Sequence, residues 1–304
     1  MFDELRHLLL VVEHGTFTAA ARRAHLSQPA LSASIRRLET AFGARMLYRG
    51  RSGAELTPAG AALVPRARAA LAALEDGRRA VLELEGLEAG EVRVAAGGTV
   101  ATYRLPPLVA AYRRRHPGVR ILLRELQPAE AREALAHGEV DLAIVDGEEG
   151  EPWQSDEFVI VGAPGVGWPT PLPFIAFARG TATREALHSI IPDAPVAMEL
   201  GSIAAVKGHV AQGIGIALLS RSAVERDLAA GRLVEVHHPR TPIPRPLSLL
   251  HRGVDRLPPA ARALRDLLLD AQKARPRTRV SGRLRTTAPA TTRPASRRRA
   301  RNGR

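Results

Sequence analysis

Apolar and polar positions follow three successive patterns along the chain. Up to residue 60 the pattern is that of short helices with a turn between two of them. Residues 58–85 read as one longer helix. From Glu91 short apolar runs alternate with helical stretches: strands at 91–96, 120–125 and 141–145, with helices near 102–115 and 128–138. Further strands follow at 158–161, 173–177, 196–200, 215–219 and 247–251, and a last helix spans 258–273. Strands alternating with helices predict an α/β domain with a mainly parallel sheet behind an all-α N-terminal unit.

The stretch 15–43 is the most informative. Thr16 or Thr18 can cap a helix carrying the Ala-rich run 19–24. Ser27 is a good cap for a second helix over about 28–39, and Pro29 fits its first turn, where the missing N–H costs nothing. Leu31, Ile35 and Leu38 recur at i, i+4 and i+7, which predicts a buried stripe. Gln28, Pro29, Ser32, Ala33 and Arg36 lie on the other side. Short side chains let such a helix seat deep in a major groove, where Gln pairs with adenine and Arg with guanine or phosphate. An ordinary packed helical hairpin has the same periodicity. Residues 47–60 weigh against it: Arg49 and Arg51 stand in a short, Gly-bearing excursion, a wing able to touch the phosphate backbone.

These segments, FTAAARRAHLSQPALSASIRRLE, then FGARMLYR, then LTPAG, resemble the N-terminal signature of the LysR-type transcriptional regulators. The resemblance implies a winged helix-turn-helix at 1–60 with Thr18, Gln28, Pro29 and Ser32 facing DNA. Ala33 stands where many members carry a longer polar residue. It implies a linker and dimerisation helix at 58–87, on which Leu63, Ala67, Ala70, Leu74, Val81 and Leu84 form a narrow stripe with Gly77 in its gap. That stripe is a seam for a second chain or packing against its own domain. It further implies a two-lobed α/β effector domain like a periplasmic binding protein at 91–272, with lobe one at 91–162 and 237–272 and lobe two at 163–236.

The loop 95–106 is the candidate effector holder. Gly97 and Gly98 permit close approach, Thr99 and Thr102 offer hydroxyls, and free N–H groups at a helix start favour a carboxylate. A plain strand-to-helix turn with Thr as a cap is the alternative. From lobe two, Phe177 either walls the cleft or fills the core, and Ser202 either caps a helix or touches the effector.

Composition refines this reading. The 304 residues carry a net charge of +13, but residues 1–60 hold only +3, residues 61–274 hold −1, and the tail 275–304 holds +11 with 11 Arg and no acid. The tail is too poor in large apolar residues to offset chain entropy and is expected to be disordered. Zero cysteines exclude disulfides and thiol chemistry, and the His spacing gives no metal motif; no metal or cofactor is expected. No apolar run spans a bilayer and the N-terminus does not read as a signal peptide, so a cytoplasmic, nucleoid-associated protein is expected. There is no phosphate-binding loop or nucleophile elbow, and GIGIAL at 213–218 lacks the third glycine of a dinucleotide fingerprint. The expected function is a non-enzymatic, effector-modulated regulator, a homodimer or homotetramer on a pseudo-palindromic promoter site. A nonspecific DNA binder driven by the tail, and a solute-binding or enzymatic α/β protein, are the rivals.

Overall fold

Helices α1 (Phe2–His14), α2 (Phe17–Arg23) and α3 (Gln28–Phe42) form the N-terminal unit of the computed structural model, which describes residues 1–50, 53–84 and 90–273. Thr16 caps α2 by accepting from the Ala19 N–H at 3.2 Å, and Ser27 caps α3 by accepting from the Ala30 N–H at 3.3 Å. Leu31, Ile35 and Leu38 join Leu5, Leu8, Val11, Ala20 and Ala21 in one core. The small alanines let α2 and α3 approach closely.

A hairpin of β1 (Leu47–Gly50) and β2 (Gly53–Leu56) follows, antiparallel with Leu47 opposite Leu56. It is tied back to the α1–α2 turn by the Ala54 N–H, which donates to the Gly15 carbonyl at 2.8 Å. Thr57 then starts α4 (Pro58–Leu84): its hydroxyl donates to the Arg45 carbonyl at 2.6 Å and accepts from the Gly60 N–H at 3.0 Å. A Cβ on Gly60 would lie 2.1 Å from the Met46 carbonyl oxygen, so the last position of LTPAG admits no side chain.

The C-terminal unit contains β3 (Glu91–Ala96), α5 (Leu105–Arg115), β4 (Arg120–Glu125), α6 (Pro128–Ala136), β5 (Leu142–Asp146) and β6 (Glu151–Gly162). It continues with β7 (Phe174–Ala176), α7 (Ala182–Ile190), β8 (Val196–Glu199), α8 (Ile203–Ala211), β9 (Ala217–Ser220) and α9 (Arg221–Ala229). Strands β10 (Val234–Glu235) and β11 (Ile243–Leu250) and helix α10 (Pro259–Lys273) complete it. Seven strands form one sheet in the order β10-β6-β11-β5-β3-β4, with β9 also on β6.

That sheet is mixed, and the expectation of a mainly parallel one is corrected. β3 runs parallel to β4 and β5, but β5–β11, β11–β6, β6–β9 and β6–β10 are all antiparallel. The cause is the double crossing of the chain between lobes. β6 leads out, β11 leads back, and two strands crossing in opposite senses side by side pair antiparallel. β6 pairs with β11 up to Phe158 and with β9 from Phe158 onward, so a single strand serves both lobes. Lobe one buries Trp153, Tyr112 and Leu264 on one sheet face and Ala131, Leu135 and Val145 on the other. Lobe two buries Val206, Val210 and Ile175 on one face and Phe174, Leu187 and Ile216 on the other. Among the described residues no helix is long and apolar enough to cross a membrane.

Candidate DNA interface and effector cleft

On α3 the buried stripe fixes which side looks outward. Gln28, Pro29 and Arg36 are exposed and Ala33 is half-buried, and Thr18 at the start of α2 is exposed as well. Ser32 is placed differently from its neighbours. It is only 5% exposed, and its hydroxyl oxygen accepts from the Gln28 Nε2 amide at 3.1 Å. The serine therefore holds the glutamine side chain rather than standing free on the surface. Behind the wing, Glu39 accepts from the Met46 N–H at 2.9 Å, which ties the end of α3 to the hairpin. Arg51 lies outside the described residues. Arg49 is on β1, and its side chain is outside the description.

The α4 stripe divides between two environments. Ala67 is buried in the core of the N-terminal unit and Leu63 packs against it. Ala70, Leu74, Gly77 and Val81 are exposed, with Leu74 at 44% and Val81 at 59%. Their spacing of four, three and four is that of a helix–helix seam. Leu84 ends α4 with its side chain outside the description.

In the C-terminal unit the loop after β3 enters a helix at once. Thr99 has helical angles (φ −63°, ψ −45°) and makes no side-chain cap bond, and residues 100–104 form a π-helical turn before α5. Such turns are frequent at functional sites. Gly97, Gly98 and Thr99 are half-buried and Thr102 is exposed. A Cβ on Gly98 would stand 3.2 Å from a Glu125 carboxylate oxygen, so an acid at the end of β4 faces this loop. From lobe two, Phe177 is half-buried against the Val206–Val210 core, and Ser202 caps α8 by accepting from the Ala205 N–H at 3.4 Å.

The family profile described as "Bacterial regulatory helix-turn-helix protein, lysR family" matches residues 2–61, and that described as "LysR substrate binding domain" matches residues 85–273. The uncharacterized HTH-type transcriptional regulator YeiE of Escherichia coli K12 is 34% identical over 284 residues, covering 85% of this chain and 92% of the relative. The chain belongs to the LysR family of bacterial transcriptional regulators. Two solved members share its fold. Full-length LysG from Corynebacterium glutamicum with bound effector Arg has a TM-score of 0.63 at 20% identity, covering 90% of this chain and 98% of that one. DarR from Vibrio fischeri in complex with DNA has 0.54 at 21% identity, covering 89% and 98%. This LysR regulator thus combines a DNA-binding helix-turn-helix with an effector-binding domain, and it is not an enzyme.

Polar residues that belong to no sequence motif join the two lobes of the LysR regulator. Arg104 of the π-helical turn pairs with Asp156 on β6 at 3.1 Å, and Asp156 also accepts from the hydroxyls of Ser220 and Ser222 at the start of α9. Burial alone would raise the Asp156 pKa, but the two serine bonds and the Arg104 charge outweigh it and hold the carboxyl below its usual range. The acid thus contacts a lobe-one turn and a lobe-two helix start from the crossing strand. Lys207 of α8 lies over the Tyr103 ring at 5.4 Å and pairs with Asp227 at 2.7 Å. Burial pulls the Lys207 pKa down, and Asp227 with Tyr103 brings it above the usual value. Asp156 stands beside Glu157 in the polar first half of β6, and nothing in that run marks it as buried until the pairing of the strand is known.

Proposed function

We propose that this regulator reads promoter DNA with the exposed face of α3 and is switched by a small molecule held between its two lobes. The observation that carries the reading is α3 itself: a core-locked apolar stripe, a Ser27-capped start, and Gln28, Pro29 and Arg36 exposed opposite the stripe. Gln28 and Arg36 supply the groups that address base edges, and Pro29 and Ala33 are short enough to let the helix seat. Ser32 acts through Gln28. Because the Gln28 amide nitrogen is directed at Ser32, its carbonyl oxygen and one N–H remain to meet the donor and acceptor of an adenine. Thr18, Arg49 and Arg51 serve the phosphates.

The Ala70–Leu74–Gly77–Val81 seam joins two chains about a twofold axis, as a homodimer or within a homotetramer. Two heads then occupy successive major grooves of a pseudo-palindromic site. The working units are a reading head at 1–60, a linker helix at 58–87 and an effector domain at 91–272. Lobe one is 91–162 plus 237–272, lobe two is 163–236, and β6 is common to both. The Arg-rich tail 275–304 adds sequence-independent attraction to DNA, and the protein works in the cytoplasm at the nucleoid.

Gly98, Thr99 and Thr102 face Phe177 and Ser202 across the proposed cleft. The LysG neighbour carries the effector Arg, which has both a carboxylate and a cationic group. Here the amide-rich loop suits a carboxylate, and Glu125 beside Gly98 suits a neighbouring cation. An amino-acid-like effector fits both.

Two experiments test this. Footprinting on the promoter beside the protein's own gene should show protection that is lost in a Gln28→Ala, Arg36→Ala double variant; unchanged protection would place the reading face elsewhere. A thermal-shift screen of small carboxylates, with and without an amino group, should give a hit that Thr99→Val weakens. An undiminished hit moves the effector away from this loop.

A further inference from the structure

Helix α4 is held at its two ends by two different domains. Its N-terminal half contributes Val64 and Ala67 to the reading-head core, with Leu63 and Leu71 packed against it. From Arg68 onward it presents Arg68, Ala72, Asp76 and Arg79, spaced four, four and three, on one face. That face lies on lobe one. The Arg68 guanidinium meets the His137 ring at 3.3 Å, and Ala72 abuts Gly138 so closely that a Cβ there would lie 1.9 Å from the alanine's own. Gly138 has φ +72° and no room for a side chain, so its backbone and α4 are in direct contact.

Below this contact the charges are buried. The Asp141 side chain is fully buried, Asp76 is 5% exposed and Arg79 is 8% exposed. Arg79 clasps Asp141 with both terminal nitrogens, at 2.7 and 3.3 Å, and donates to Asp76 at 2.6 Å. Arg93 of β3 donates to Asp141 through its backbone N–H at 2.8 Å and through its side chain at 3.2 Å. Arg252, just past β11, closes the cluster on the other oxygen of Asp76. Five charges from α4, β3, the start of β5 and the end of β11 thus meet at one point. Such clusters are weak sources of net stability, but they fix geometry, because a slipped arrangement leaves charges buried and unpaired.

We propose that the Asp76–Arg79–Asp141–Arg93–Arg252 cluster is the joint that sets the direction of the reading head relative to the sensor. It welds the C-terminal half of α4 to lobe one. Lobe one, α4 and the head then form one body, and the lobe that moves against them is lobe two. Arg79 and Asp141 are positioning residues for DNA binding, acting through α4 and touching no nucleotide. A displacement of lobe one is carried to the head through the α4 stretch between Asp76 and Ala67, about 14 Å of continuous helix.

The chain has no cysteine, which makes the test direct. Nitroxide labels are placed on introduced cysteines at Arg78 on α4 and Arg114 on α5, both exposed, in the full-length protein diluted into unlabelled chains. The parent should give one narrow distance distribution, and Asp141→Asn or Arg79→Gln should broaden it. In parallel, unlabelled variants are titrated with a two-half-site duplex selected on the wild type and with a single half-site. The weld predicts at least a tenfold loss on the two-half-site duplex and an unchanged single half-site. Equal losses on both, or no loss on either, overturn the proposal, as does an unbroadened distribution. If Asp141→Asn does not fold, Arg252→Met at the edge of the cluster is scored by the same criteria.

Discussion

Replacing Ser32 by alanine removes one hydroxyl that is almost closed to solvent, 5% exposed and bonded to Gln28 at 3.1 Å. If the serine works by holding the glutamine amide, its loss costs the pre-orientation of that amide. A neutral side-chain hydrogen bond is worth about 0.5–1.5 kcal/mol, which is about 2- to 12-fold in affinity for a cognate duplex. If Gln28 makes the proposed base contact, Gln28→Ala removes it, at a cost of about 1–3 kcal/mol or roughly 5- to 150-fold. The two effects must not add. Once Gln28 is gone, Ser32 has nothing to orient, so the double variant should bind like Gln28→Ala to within about 0.5 kcal/mol. Fluorescence anisotropy on duplexes varied at each base pair provides the readout. Both single variants should relax preference at the same base pair. Additive losses, or a preference change at a different base pair for Ser32→Ala, would show that the serine meets DNA directly and refute the reasoning.

Other expectations follow from the same geometry. Gly60→Ala should lower the melting temperature, because the overlap with the Met46 carbonyl at 2.1 Å costs more than the gain of about 1 kcal/mol from helix propensity. Gly208→Ala in α8, where nothing lies within 4 Å, should gain about 1 kcal/mol instead, and calorimetry separates the two signs. Trp153 is fully buried and its indole N–H donates to the Leu268 carbonyl at 3.1 Å, so Trp153→Ala should cost the effector domain about 3–5 kcal/mol in denaturant melts. The Asp141 pKa lies below its ordinary value of 3.8: burial raises it, but the bonds and charges of Arg79 and Arg93 prevail. A depressed carboxylate contributes stability that is present above its unfolded pKa and lost as pH falls through the folded one. Acid melts should therefore steepen below about pH 4, and Asp141→Asn should flatten that slope. Deleting residues 275–304, with their 11 Arg, should reduce the salt dependence of DNA binding and leave the preferred sequence unchanged.

Where local chemistry decides, the sequence was legible. Ser27 and Thr16 cap as their positions require, and the Leu31–Ile35–Leu38 stripe is buried as its period demands. Strands 91–96 and 120–125 begin and end where their patterns do. Legibility fails where pairing partners are distant. β6 begins at Glu151 because β11 pairs with its polar first half, a run that carries no strand pattern of its own. β11 starts four residues before its apolar run, at a segment with Pro244 and Pro246. The α4 stripe reads as a seam for a second chain or as packing against its own domain, and a helix bridging two domains divides between several faces. Its first residues belong to the head, and the charged face at Asp76 and Arg79 is buried only because Asp141 and Arg252 come to meet it. On α3, the period placed Ser32 outside, and a four-residue step back to Gln28 covered it.

The central claim is that a uniform pair of α3 faces, set by α4, reads DNA by sequence. Selection of duplexes from a random pool by the full-length protein, sequenced over successive rounds at near-physiological salt, tests it most directly. The account predicts an enriched dyad-symmetric motif with half-sites about one helical turn or a small multiple apart, which Gln28→Ala degrades at one symmetric pair of positions. A pool that binds with steep salt dependence and no enriched motif would contradict it and leave the charge of the tail as the source of binding.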